Sequence, residues 1–118
     1  MKFLMTFESD PNAPPPSPET LQKLGEYSMR MIASGTVVLT GGLVPPSHGI
    51  KIKHEGGKFS VTDGPFAESK ELIDGFAVVN AESAEEAIAL AKEFMAIAGE
   101  GKGEILAMME PGGPPPPK

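Results

Sequence analysis

The stretch GIKIKHEGGKFSVTD, residues 49–63, constrains the fold most strongly, because it predicts a β-hairpin. Apolar residues alternate with polar residues on both sides of its central glycine pair, and this period of two is typical of strands with one buried face. The two glycines suit a type I′ turn, whose positive φ angles join neighbouring antiparallel strands. One face of the first arm carries Ile50, Ile52 and His54. The chain is therefore predicted to contain antiparallel sheet, with His54 as a packed or edge side chain.

Two amphipathic helices are predicted, one before and one after this hairpin. The first begins with Ser17 as its N-cap and Pro18 in its first turn, and Gly35 suits the left-handed position at its end. The second begins with Ser83 and Glu86, which form a capping box. The apolar face of the first helix comprises Leu21, Leu24, Ser28, Met31 and Ile32, with Tyr27 at its margin. The apolar face of the second comprises Ala87, Ile88, Ala91, Phe94, Met95 and Ala98.

The other apolar segments are short enough to be strands. Phe3, Met5 and Phe7 alternate with Lys2 and Thr6 at the start of the chain. Further strands are predicted at residues 36–42, 76–80 and 104–109. The element order is strand, helix, strand, hairpin, strand, helix, strand. This order predicts an α+β fold of ferredoxin-like type, an antiparallel sheet with two helices on one face.

The second face of this sheet is predicted to be apolar as well. If Phe3, Val37, Phe76, Val78 and Ile105 face the helices, the opposite face carries Leu4, Val38, Ala77, Val79, Leu106 and Met108. A bare apolar face on so small a sheet usually marks a partner surface. We therefore expect a homodimer packed sheet to sheet, a dimeric α+β barrel-like assembly.

Composition excludes several classes of function. The net charge of −6 and a pI near 4.9 leave no basic stripe for a phosphate backbone, so nucleic acid is not an expected partner. The chain has no cysteine, which removes disulfides and thiolate chemistry. No apolar run is long enough to cross a bilayer, and the opening strand does not resemble a signal peptide. We expect a cytoplasmic protein with no membrane partner.

The proline-rich segments delimit one domain. Residues 1–110 are predicted to form it, with residues 10–18 as a proline-rich loop between the first strand and the first helix. The tail at 111–118, PGGPPPPK, cannot pair in a sheet and is expected to be disordered.

The segment DGPFAESKE, residues 63–71, closely resembles the DGPFAETKE signature of the YCII-related, DGPF-domain proteins. The resemblance extends to the opening MKFLMTF, to GEYSMRMIASGTVVLTGGLVPPSHGIKI and to SAEEAIALAKEF. It implies a ferredoxin-like domain that forms dimers, with a pocket but no established general reaction. Some family genes lie beside those of extracytoplasmic-function sigma factors, which points to a regulatory context. Two departures matter: the final strand lacks the arginine common in the family, and Asp74 replaces a usual Gly or Ala.

Candidate site residues cluster around this signature. Asp63 ends a strand and is either a turn-forming residue or an acid-base catalyst beside a pocket. His48, in the loop VPPSHG, is the second catalytic candidate, and a plain surface histidine is its alternative. The candidate ligand-binding residues are Tyr27, Phe66, Glu68, Lys70 and Glu71. Each also has a structural interpretation: Tyr27 and Phe66 as core aromatics, and the three charged residues as a solvated turn with weak ion pairs.

We expect no bound metal and no cofactor. Zinc prefers nitrogen and sulfur ligands. Calcium would require a dense oxygen cage, but Pro65 and Phe66 interrupt the run of carboxylates and Lys70 places a positive charge within it. The function predicted is that of a homodimeric domain that binds a small polar molecule near the DGPF turn; whether it also has enzymatic turnover stays open. The alternative is a non-catalytic regulatory or interaction module in which the DGPF turn is structural.

Overall fold

The computed structural model describes residues 1–43, 49–63, 73–109 and 111–112. The element order is the predicted one with a short extra strand before the last. The helices are α1 (Pro18–Ala33) and α2 (Ala84–Ala98). The strands are β1 (Lys2–Ser9), β2 (Val37–Gly42), β3 (Ile50–Glu55), β4 (Lys58–Asp63), β5 (Gly75–Asn80), β6 (Gly101–Lys102) and β7 (Ile105–Ala107). Among the described residues, no helix is long and apolar enough to cross a membrane.

The main sheet is antiparallel and is built around β1. Its order is β2-β5-β1, and β6 and β7 both pair with the free edge of β1. β3 and β4 form a separate two-stranded sheet. The chain is thus an α+β domain with two helices and antiparallel sheets, and its strand order is compatible with the ferredoxin-like arrangement.

Local signals in the sequence set both helix starts. Ser17 accepts a hydrogen bond from the backbone N–H of Thr20 at 3.1 Å, and Pro18 opens α1 as predicted. Gly35 follows α1 with a φ of 81°, the left-handed region that glycine adopts without a Cβ clash. Ser83 likewise accepts from the N–H of Glu86. The reciprocal half of the predicted capping box differs, because the Glu86 carboxylate accepts from the N–H of Glu82 instead.

The core lies between β1, β5 and α2. Phe3, Val79, Ala81 and Ala87 are buried together. Around them pack the half-buried side chains of Met5, Val37, Ala77, Leu90 and Ile105.

The predicted facing of β5 was wrong. Phe3 pairs with Val79 and Met5 with Ala77, and these side chains lie on the helix side of the sheet. Directly paired residues of antiparallel strands share a face, so Phe76 and Val78 lie on the opposite side. A one-residue shift in register exchanges the two faces of a strand.

The β2 strand contains a second difference. Its register shifts between Val37 and Leu39, so that Leu39 pairs with Val78 and Val38 lies at a bulge. Leu106 pairs with Leu4 on the open face, as the sequence predicts. The open face of the main sheet therefore comprises Leu4, Leu39, Phe76, Val78 and Leu106.

The helix faces also differ in detail from the prediction. Tyr27, predicted at the margin of α1, is its one buried residue at 7% exposure, whereas Leu21 and Ile32 are exposed. In α2, Ile88 is exposed and Leu90 packs on the core in its place. Periodicity locates an apolar face within about one residue on either side, and the neighbouring elements then select which residues are covered.

The hairpin predicted at residues 49–63 is confirmed. Its turn glycines, Gly56 and Gly57, have φ angles of 59° and 77°, as a type I′ turn requires. Every residue of β3 and β4 is exposed, so the hairpin projects from the rest of the described chain.

Candidate functional site

A large cleft lies between the helices and the main sheet. Its volume is about 1450 Å³, which exceeds the size of typical small-molecule sites. The lining is mostly apolar and includes Met5 and Phe7 of β1, Leu24 of α1, Phe94 of α2 and Ile105 of β7. The proline-rich loop between β1 and α1 contributes residues 10–17. An apolar cleft of this kind is the default place to look for a bound molecule.

One polar feature of this cleft is the hydrogen-bonded pair Ser9 and Asp74. Both residues line the cleft. The backbone N–H and the hydroxyl of Ser9 both donate to Oδ2 of Asp74. Within the described residues, no hydrogen bond reaches Oδ1 of Asp74. This oxygen is therefore an acceptor that an incoming donor group can use.

The backbone holds Asp74 at a junction of three strands. Its N–H donates to the carbonyl of Phe7 and its carbonyl accepts from the N–H of Leu43, both at 2.8 Å. Gly75 then starts β5 so close to Gly41 of β2 that an added Cβ would lie 3.1 Å from the Gly41 carbonyl oxygen. The carboxylate is thus carried at the corner where β1, β2 and β5 meet.

Tyr27 connects the two helices. Its ring lines the cleft, and its hydroxyl donates to the carboxylate of Glu93 in α2 at 3.0 Å. Burial and this hydrogen bond, together with the negative charge of Glu93, raise the pKa of Tyr27 to about 12. The guanidinium of Arg30 lies 5.6 Å from the ring centroid and lowers the pKa by a smaller amount. The hydroxyl is committed to Glu93, so Tyr27 contributes its ring to the cleft.

The predicted site residues are not all brought together. Asp63 is the exposed last residue of β4, opposite Ile50, and it is not part of the cleft lining. His48, Phe66, Glu68, Lys70 and Glu71 lie outside the described residues. Of the two candidates within the described residues, Tyr27 lines the cleft and Asp63 does not.

Sequence reasoning did not identify Ser9 and Asp74 as a pair. They are 65 positions apart, and no local motif connects them. One signal was present, because Asp74 departs from the residue type usual for the family at that place. A charged side chain just before a buried strand requires either a partner or solvent, and Ser9 is the partner that the fold provides.

No group of three or more His, Asp or Glu residues that could hold a metal ion occurs within the part of the chain that the structure describes. The cleft combines the carboxylate of Asp74 and the hydroxyl of Ser9 with mostly apolar walls, and its lining also includes the charged residues Asp10, Lys92, Glu100 and Glu104. Such a set can orient an amphipathic molecule by a hydrogen-bonded head and a buried apolar body.

The described elements define an α+β domain with two helices, antiparallel sheets and a cleft between its layers. Comparison with known proteins then gives the family. The model of the YCII-related domain matches residues 1–108, and the chain belongs to this family, as the DGPFAESKE segment predicts. An uncharacterised protein of Rhizobium meliloti (strain 1021) is 31% identical over 95 residues, which is 78% of this chain and 77% of that protein.

Proposed function

We propose that this YCII-related domain binds a small amphipathic molecule in the cleft between its helices and its sheet. The observation that carries the proposal is the apolar cleft of about 1450 Å³ with Asp74 in its wall. Burial of an apolar group contributes about 25 cal/mol per Å², so apolar walls favour a ligand with an apolar body. This ligand is less polar than the one expected from the sequence.

The head group of the ligand follows from the chemistry of Asp74. A carboxylate oxygen is an acceptor at neutral pH, so the complementary head group is a donor, such as an amine or a hydroxyl. Ser9 neutralises no charge, since a hydroxyl is neutral. A cationic amine therefore adds an electrostatic attraction that a hydroxyl does not supply.

A matched pair of substitutions on α1 tests the apolar part. Leu24 lines the cleft, whereas Met29 is on the same helix and 69% exposed. Leu24→Trp places a bulky indole in the cleft, and Met29→Trp places the same indole in solvent. Titration of each variant with a medium-chain n-alkylamine, below its micelle concentration, measures the binding. We expect saturable binding of one molecule per chain in the wild type and in Met29→Trp, and binding at least tenfold weaker in Leu24→Trp, where the indole occupies part of the apolar wall.

A comparison of two probes that differ only in their head group tests the role of Asp74. The n-alkylamine is expected to bind at least tenfold more tightly than the alkyl carboxylate of equal chain length, and Asp74→Ala should remove this preference. Absence of saturable binding of any alkyl probe to the wild type would overturn the proposed function. Equal binding of amine and carboxylate would overturn the role of Asp74 and leave the cleft as an apolar site.

The assembly belongs to the same proposal. A homodimer in a barrel-like arrangement is supported by the bare apolar face of the main sheet, where Leu39 is 56% exposed and Leu106 48% exposed. Light scattering at micromolar concentration should report twice the chain mass of 12.4 kDa. The cytoplasmic location and the absence of a nucleic-acid or membrane partner stay predictions.

A second candidate function is that of a non-catalytic regulatory or interaction module. The exposed hairpin favours it, because its strands carry apolar side chains that the described chain leaves uncovered. The alkylamine titration separates the two functions, since an interaction module has no need of a cleft that binds one small molecule per chain.

A further inference from the structure

The hairpin of β3 and β4 exposes four large apolar side chains. Ile50 is 66% exposed, Ile52 70%, Phe59 69% and Val61 63%. Scattered apolar residues are ordinary on protein surfaces, but these four belong to two adjacent strands. Their arrangement in the hairpin therefore decides whether they form one surface.

The strand register places all four on one face. Ile52 pairs with Val61 and His54 with Phe59, and directly paired residues share a face of an antiparallel ladder. The rings of His54 and Phe59 are stacked with centroids 4.3 Å apart and an angle of 12°. The opposite face is polar and comprises Lys51, Lys53, Glu55, Lys58, Ser60 and Thr62. The same register places Asp63 opposite Ile50, at the end of the first face. We call the first face the apolar arm face, defined by Ile50, Ile52, His54, Phe59 and Val61, with Asp63 at its rim.

This arrangement requires a cover. A two-stranded hairpin is marginally stable alone in water, and alternation of apolar with polar residues on both arms is the pattern of strands that bury one face. In the described chain nothing covers the apolar arm face, since every residue of β3 and β4 is exposed. The described residues of the single chain therefore leave this face without a cover.

The areas favour a second copy of this chain as the cover. Four large side chains about two-thirds exposed leave an apolar surface on the order of 500 Å², which is in the upper range for a monomer. The open face of the main sheet is also uncovered but is smaller, on the order of 300 Å². A standard stable interface buries roughly 800 Å² per partner, of which somewhat more than half, about 450 Å², is apolar. The open face of the main sheet falls short of this apolar area alone, and the two surfaces together exceed it.

We propose that the hairpin is an intersubunit arm, whose apolar arm face packs against a second copy of the chain and completes the interface formed by the open faces of the two main sheets. Two-fold symmetry lets each copy give one arm and receive one. The inference rests on the proposed homodimer. It assigns to residues 50–63 the interface area that the open faces of the two main sheets do not supply.

Neighbouring positions on β4 supply a matched test. Val61 lies on the apolar arm face, and Ser60 lies on the polar face opposite Lys53. Val61→Glu and Ser60→Glu introduce the same charge into the same exposed strand, so they differ mainly in the face that carries it. Sedimentation velocity over a range of concentrations measures the dimer Kd of each full-length variant. Ile52→Lys repeats the test on β3, the other strand of the hairpin, with the opposite charge. Circular dichroism checks that each variant is folded.

We expect Val61→Glu and Ile52→Lys to weaken the dimer about a hundredfold or more, because each substitution occurs twice in the symmetric interface. Ser60→Glu should leave the Kd within about threefold of the wild type, since an exposed polar position contributes little. A dimer that all three variants leave unchanged would overturn the arm and leave the sheet-to-sheet dimer standing. A wild-type monomer at high micromolar concentration would overturn both. Neither result affects the cleft, which the alkylamine titration tests separately.

Discussion

Tyr27 provides the sharpest test of how the two helices are held together. The substitution Tyr27→Phe keeps the buried ring and removes only the hydroxyl that donates to Glu93. The chain has one tyrosine and no tryptophan, so the ultraviolet absorbance of tyrosinate reports this side chain alone. Both the bond and its pKa effect are therefore measurable without interference from another residue.

The expected loss of stability at neutral pH is moderate. A hydrogen bond to a charged group contributes about 1.5–3 kcal/mol. Glu93 is exposed, and water can solvate its carboxylate after the hydroxyl is removed. We therefore expect Tyr27→Phe to lower the free energy of unfolding by about 1 kcal/mol near pH 7, measured by urea denaturation.

The pH dependence has a definite sign. The pKa of Tyr27 rises from its ordinary value of 10.0 to about 12 in the folded protein, first through burial and then through the bond to Glu93. Since the folded-state value is the higher one, the stabilisation is complete below about pH 10 and is lost as the pH rises toward 12. Two pKa units correspond to at most about 2.7 kcal/mol, and solvent around the exposed Glu93 carboxylate reduces this to about 1 kcal/mol.

The assay compares wild type and Tyr27→Phe by urea denaturation at pH 8 and pH 11. Lysines titrate in both proteins and cancel in the difference. The difference in free energy of unfolding between the wild type and Tyr27→Phe should decrease by about 1 kcal/mol from pH 8 to pH 11. Absorbance titration should give a tyrosine pKa above 10.0. Glu93→Gln is the control, because it keeps an acceptor but removes the charge and should lower the pKa of Tyr27. The reasoning would be refuted if this difference in free energy of unfolding stayed constant with pH and the tyrosine titrated at its ordinary pKa of 10.0.

Three further expectations follow from single positions or groups. Gly103→Ala should cost about 2–4 kcal/mol, because an added Cβ would overlap the Thr6 carbonyl oxygen. Gly25→Ala, whose Cβ would meet nothing within 4 Å, should instead stabilise the protein by about 0.5–1 kcal/mol in the α1 interior; equal effects in thermal melts would contradict the packing at Gly103. Asp63→Asn should change stability by less than about 0.5 kcal/mol, since Asp63 is exposed, and a loss near 3 kcal/mol would indicate a buried network. Calorimetry with Mg²⁺, Ca²⁺, Mn²⁺ and Zn²⁺ should give no stoichiometric micromolar binding, and such an isotherm, abolished by Asp63→Asn, would refute the absence of a metal site.

The sequence by itself determined the elements and their order. Ser17, Ser83 and Gly35 act through bonds or backbone angles within a few residues of themselves, and so do the paired glycines of the hairpin turn. These signals are complete in a short window, because capping and turn geometry depend on the local backbone. The DGPFAESKE segment similarly identified the family without any structure.

Only the tertiary structure decided which faces the strands present and where the cleft lies. The pairing of β5 with β1 places Ala77 and Val79 on the covered side, and the bulge after Val37 shifts the register of β2. A one-residue difference of this kind exchanges covered and open sides. Tyr27 is the buried residue of α1, and its hydroxyl donates to Glu93 of the other helix, a contact that the sequence pattern of α1 does not contain. Ser9 and Asp74 meet across 65 positions, since the pairing of β1 with β5 brings their ends together. Such contacts depend on how several elements pack against one another, and a short window of sequence does not specify that packing.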